Sequence, residues 1–104
     1  MISFEDYRRH DGLALADLVR RKEVTAAELL ETAIARSEAV NPRLNAVIIP
    51  MHELARARAK QELSGPFAGV PFLTKDLFQE YQGVQTAYGC KGLKDANYKA
   101  EVHA

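Results

Sequence analysis

The sequence predicts an α/β chain, and three stretches predict it. Thr25-Ala26-Ala27-Glu28 is a capping box, and an alanine-rich amphipathic run follows it. Val47-Ile48-Ile49 is a continuous β-branched run of the kind found in buried strands. A second apolar run, Val70 to Thr74, emerges from the turn-rich Ser64-Gly65-Pro66-Phe67-Ala68-Gly69. Helices alternating with strands point to α/β organisation. Two short strands make a poor sheet alone, so the predicted architecture is incomplete within these residues.

The elements follow in order. Residues 1–12 are mixed and carry little pattern. In 13–22, Leu15, Leu18 and Val19 share a helical face, and Arg20-Arg21-Lys22 gather at the end that the helix dipole favours for cations. The helix capped by Thr25 is expected to run to Val40, where Asn41-Pro42 stops it. Leu44 to Ile49 reads as a strand. Pro50 suits the opening of a third helix, with Met51, Leu54, Ala55, Ala59 and Leu63 as its apolar stripe. Val70 to Thr74 is the second strand. From Leu77 to Gly92, glycines and mixed polarity predict a loop, with a short extended piece near Val84–Ala87. Asp95-Ala96-Asn97 reads as the cap of a helix from Tyr98, cut short at Ala104, which is the pattern of a truncated chain. No repeat, linker or low-complexity segment interrupts the 104 residues, so one domain without an internal boundary is expected.

Composition narrows the function classes. Hydrophobic residues make up 47% and charged residues 27%, which is ordinary for a globular chain. Lys+Arg and Asp+Glu balance at 14 each, so no net field favours nucleic acid or an anionic membrane as partner. No apolar run is long enough to span a bilayer, and acids stand where a signal peptide needs bases. A single cysteine, Cys90, excludes an internal disulfide, and cytoplasmic residence is the default expectation.

Most chemical motifs fail. His52-Glu53 opens like a zinc-protease motif, but Arg56 occupies the second histidine position. His10, His52 and His103 lack ligand spacing, so no metal or other cofactor is expected. Cys90 has no motif partner and reads as a structural cysteine. Ser3, Ser37 and Ser64 are the three serines, and none sits in a nucleophile elbow.

One lysine stands apart. Gly69-Val70-Pro71-Phe72-Leu73-Thr74-Lys75-Asp76-Leu77 feeds an apolar run into a lone ammonium group. The ordinary use of such a lysine is to reach water from a strand end. The alternative is a lysine held in a covered pocket for chemistry, where burial disfavours the ammonium form. The pattern alone leaves both open. Asp76 beside it reads as a cap of the following turn.

Gly65-Pro66-Phe67-Ala68-Gly69-Val70-Pro71-Phe72-Leu73-Thr74-Lys75-Asp76 resembles the Gly-Pro-Leu-x-Gly-(Val/Ile)-Pro-x-x-x-Lys-Asp segment of the amidase signature family. The order of elements upstream, through Asn41-Pro42-Arg43-Leu44-Asn45-Ala46-Val47, resembles its N-terminal layout. Thr86 and Gly89 are similar to a Thr-(Ser/Thr)-x-Gly-Ser segment, with Tyr88 and Cys90 as departures. Ala46-Val47-Ile48-Ile49-Pro50, Ser64 to Pro71 and Lys91-Gly92-Leu93-Lys94 lean toward the 6-aminohexanoate-cyclic-dimer hydrolase branch.

The resemblance implies N-terminal helices plus the first strands of a mixed sheet covered by helices. It implies hydrolysis of linear or cyclic amides by a Ser–cis-Ser–Lys unit. Lys75 matches the family's catalytic lysine, a general base acting through the bridging serine, and Asp76 is its supporting neighbour. The family's Gly-Ser-Ser-Gly-rich segment has no counterpart in the 104 residues. The expectation is therefore an N-terminal amidase portion, inactive alone, whose parent takes a small-molecule amide. Two other readings stand beside it. One is a small non-catalytic module, derived from an amidase, that binds a partner or forms a homo-oligomer through unpaired strand edges. The other is a fragment of an amidotransferase subunit.

Overall fold

A computed structural model describes residues 2–76, 79–101 and 103. Residue contacts cluster into two compact units, Met1–Pro71 and Phe72–Ala104.

The first unit carries four helices among the described residues: α1 (Phe4–Arg8), α2 (Gly12–Arg20), α3 (Ala26–Leu44) and α4 (His52–Ala59). Each of the first three starts at a side-chain cap. The Ser3 hydroxyl accepts from the Asp6 N–H, and the Asp11 carboxylate from the Ala14 N–H at 2.8 Å. At α3 the capping box is complete. The Glu28 N–H donates to Thr25 Oγ1 and the Thr25 N–H to Glu28 Oε2, both at 3.0 Å. The helix α1 lies where the sequence showed little pattern. Five residues are too few to display a periodicity, but Ser3 and Asp6 are its local signal.

Leu29 on α3 is fully buried, with Ile34 on the same helix and Leu15 and Ala16 on α2 also in the core. Thr32 is buried too, and its hydroxyl lies 3.1 Å from the Ile2 carbonyl and 3.0 Å from that of Glu28. The Arg36 guanidinium sits over the Phe4 ring, 4.6 Å from its centroid, and helps hold α1 to α3. Arg56 does the same for α4 and α3. Its Nε donates to Glu31 Oε1 at 2.7 Å and its Nη2 to Glu31 Oε2 at 3.2 Å, a forked pair.

Three expectations are corrected in this unit. The helix α3 passes through Asn41-Pro42 and ends at Asn45, whose backbone is left-handed at φ 51°. Proline at 42 removes one i→i−4 bond only two residues before Leu44, the last in the helix, and asparagine accepts the left-handed cap. Leu44 to Ile49 forms no strand. A strand needs a neighbour for its backbone groups. Here the Asn41 side chain takes that place: the Val47 N–H donates to Asn41 Oδ1 at 2.8 Å, and Asn41 Nδ2 donates to the Val47 carbonyl at 2.9 Å. Ile48 is left largely exposed. Finally, α4 ends at Ala59, so Leu63 lies beyond it.

Val70 to Thr74, which runs from the first unit into the second, likewise contributes no strand, and Phe72 and Leu73 are 82% and 72% exposed. The mixed sheet is absent among the described residues. Their one β feature is an isolated antiparallel bridge between Gln85 and Lys99. Around it the Gly83 N–H donates to the Ala100 carbonyl (2.8 Å), Thr86 to Tyr98 (3.0 Å) and Ala100 to Val84 (3.1 Å). The expected extended piece near Val84–Ala87 is one arm of this pairing, an irregular hairpin whose other arm is residues 98–100. The helix expected from Tyr98 is not formed among the described residues, and part of it falls outside them. A helix stands earlier, α5 (Lys91–Asp95), and Asn97 at φ 53° turns the chain back to pair. Pairing with residues 83–86 satisfies the backbone at 98–100 better than a capped turn with nothing to pack on.

Candidate active site

Lys75 and Asp76 both fall in the second unit, and their side chains part company. Lys75 is exposed, and its ammonium forms no salt bridge among the described residues. The expected covered pocket does not surround it here. Its backbone, in contrast, is held: the Lys75 N–H donates to Gln79 Oε1 at 2.8 Å.

Asp76 is half-buried and faces the hairpin. Its Oδ1 accepts from the Thr86 hydroxyl at 2.8 Å and from the Ala87 N–H at 3.1 Å, with Oδ2 3.4 Å from the same N–H. Thr86 and Ala87 are 4% and 8% exposed, so the carboxylate is bound to the most enclosed part of the unit. A carboxylate that receives a hydroxyl and an amide fixes the chain that carries it. Sequence reasoning marked Thr86 only through its family-like segment. Gln79 carried no signal at all, because a side chain that caps a backbone four residues away leaves no periodic trace.

Nearby, the Tyr88 hydroxyl donates to Glu80. That contact lowers the Glu80 carboxyl below its usual range and, with burial, raises the Tyr88 phenol above its own. His103 accepts from the Gln82 N–H at 3.1 Å and meets the Tyr81 ring edge-on. Cys90 is exposed at the start of α5.

The other candidates stay apart. Ser3 caps α1, Ser37 is half-buried on α3, and Ser64 is exposed, all in the first unit, while residues 72–104 contain no serine. His10 Nδ1 lies 2.7 Å from the Asp6 carbonyl, and His52 Nδ1 lies 3.8 Å from Glu38. No group of His, Cys, Asp and Glu among the described residues has metal-holding geometry. No helix among them is long and apolar enough to cross a membrane. An open groove of about 400 Å³ lies in the first unit between Val19, Ala26, Ala59, Leu63 and Gly69, with Arg20 among its lining residues. Lys75 does not line it.

Comparison with known proteins places this geometry. The 6-aminohexanoate-cyclic-dimer hydrolase of Pseudomonas sp. (strain NK87) is 50% identical over 94 residues, covering 90% of this chain and 19% of its own. Lipoamidase of Enterococcus faecalis is 42% identical over 97 residues, covering 91% of this chain and 13% of its own. A solved structure of 6-aminohexanoate cyclic dimer hydrolase superposes with a TM-score of 0.85 at 48% identity, over 91% of this chain and 20% of that one. The chain thus spans about a fifth of the length of these hydrolase relatives. The Amidase family model matches residues 28–104, a span that holds α3 from Glu28 onward, Lys75, Asp76 and the hairpin, and the chain belongs to that family.

Proposed function

We propose that this chain is the lysine-bearing part of an amidase that hydrolyses amide bonds by a Ser–cis-Ser–Lys mechanism. The observation that carries the reading is the 50% identity to a cyclic-amide hydrolase over a span with Lys75-Asp76 at its family motif. Lys75 is the general base. Neutral, it takes the nucleophile's proton through the bridging serine and later returns a proton to the departing amine. The nucleophile attacks the amide carbonyl, an acyl-enzyme forms, and water releases the acid. Asp76 supports the base through its bonds to the hairpin.

A lysine works as a base only when neutral, and burial is what disfavours the ammonium. Lys75 is exposed in this chain, so the reading requires further protein to cover it and to supply both serines. The exposed Phe72 and Leu73 are the apolar surface such a cover would bury. The 104 residues alone are accordingly inactive. The substrate follows the relatives' chemistry: a small linear or cyclic amide of the 6-aminohexanoate kind.

The test is a chimera. This chain replaces the matching segment of the Pseudomonas 6-aminohexanoate-cyclic-dimer hydrolase, and hydrolysis of the cyclic dimer is followed by release of the linear product. Turnover is expected from the chimera and none from the isolated chain. A folded chimera without turnover, or a purified 104-residue chain that hydrolyses the amide, contradicts the reading.

A further inference from the structure

A buried hydroxyl stands behind an exposed lysine. Thr86 is 4% exposed, and its hydroxyl donates to Asp76 Oδ1 at 2.8 Å, while its backbone N–H donates to the Tyr98 carbonyl at 3.0 Å. The Ala87 N–H adds a further bond to the same oxygen at 3.1 Å. Asp76 is therefore tied to an arm of the hairpin that is itself tied across to residues 98–100.

Lys75 shares a peptide bond with Asp76. That bond is planar, so fixing Asp76 restricts the Lys75 Cα as well. On the other side the Lys75 N–H is held by Gln79 Oε1 at 2.8 Å. The backbone of Lys75 is thus gripped from both directions, although its side chain is open to solvent. A base on a long flexible stem gains most from a fixed root, because small misplacements of a reacting group lower rates steeply.

We propose that Thr86 is a positioning residue for Lys75, acting through the Asp76 carboxylate to fix where the lysine stem begins. This rests on Lys75 being the base. Thr86 touches no reacting atom. Its hydroxyl is the one side-chain donor that the Asp76 carboxylate receives among the described residues. Removing that hydroxyl leaves Asp76 with the Ala87 N–H as its remaining donor among the described residues and lets the Lys75–Asp76 segment move.

The test uses the active chimera and four variants: Thr86→Val, Thr86→Ser, Thr86→Ala and Lys75→Ala. Valine keeps the size of threonine and deletes the hydroxyl, while serine keeps the hydroxyl. Thr86→Val is expected to lower kcat by about 10- to 100-fold with KM changed less than about threefold, the pattern of lost transition-state alignment. Thr86→Ser is expected to keep most of kcat. Where the valine variant fails to fold, Thr86→Ala is read the same way, with folding checked by its melting temperature. Lys75→Ala separates the two claims. If Lys75→Ala abolishes turnover while Thr86→Val and Thr86→Ala match the parent, the positioning role is overturned and the base stands. If Lys75→Ala retains turnover, the base falls and the positioning role falls with it. Equal kcat losses in the serine and valine variants also overturn the role, since the hydroxyl would then not be what matters.

Discussion

Asp76 Oδ1 accepts a hydrogen bond from the Thr86 hydroxyl at 2.8 Å, and this contact joins the residue beside the family lysine to the buried side of a hairpin. Nine residues of chain lie between the partners, of which Leu77 and Phe78 fall outside the described residues. The bond to a charged acceptor in a half-buried place is of the stronger kind. Asp76→Ala in the 104-residue chain should speed hydrogen exchange at the Ala87 N–H, corresponding to about 1–3 kcal/mol of lost local stability. Unchanged exchange at Ala87 would show that the carboxylate does not anchor the hairpin.

The capping box of α3 gives a second expectation. Thr25→Ala removes the acceptor of the Glu28 N–H and should destabilise the first unit by about 1 kcal/mol. Glu28→Ala removes the reciprocal bond and should have a smaller effect. Urea unfolding followed by circular dichroism measures both.

Leu29 is the fully buried large side chain of the core. Leu29→Ala leaves a cavity among α3 and its neighbours and should cost about 2–5 kcal/mol. In a unit this small that is enough to unfold much of the population at 37 °C, which a thermal melt reads directly.

Gly69 explains one position of the motif that leads to Lys75. Its φ is +87°, and an added Cβ would stand 3.0 Å from Val19 Cγ1 and 3.3 Å from the Ala26 Cβ. Gly69→Ala therefore meets both a left-handed backbone and a crowded helix pair, and should destabilise the first unit by about 1–3 kcal/mol. Gly65→Ala, with φ +104° but nothing within 4 Å of its Cβ, should cost less. Equal losses at the two glycines would remove the packing part of this explanation.

The Arg56–Glu31 fork carries a pH dependence. The hydrogen bond from Arg56 holds the Glu31 carboxyl below its ordinary value of 4.5. A carboxylate with a depressed folded-state pKa contributes stability that is present above the unfolded value and is lost as pH falls through the folded one. Stability of the α3–α4 pair should therefore hold at neutral pH and decline below about pH 4.5. Glu31→Gln should flatten that decline, and a titration of melting temperature against pH in both proteins checks it.

What was legible in the sequence was local. Thr25 and Glu28 announce α3 because a capping box acts across three residues. Lys75-Asp76 stands out in the sequence because it falls in a family-like motif. The expected strands do not form among the described residues, because a β-branched run shows only that a segment fits a sheet. Val47 found a partner in the Asn41 side chain, and nothing in residues 47–49 alone predicts that. Pro42 misled for a related reason: a proline three residues from a helix end removes little when Asn45 closes the turn. The Asp76–Thr86 contact spans a loop without periodicity, so only the folded chain displays it.

The most direct measurement is the turnover of the hydrolase chimera with Lys75 replaced. Lys75→Ala removes the proposed base, and Lys75→Arg keeps a cation that cannot give up its proton at neutral pH. Both should reduce kcat by about 10²- to 10⁴-fold while the proteins stay folded. Near-normal turnover in either variant would contradict the account and leave Lys75 as a lysine that simply reaches for water.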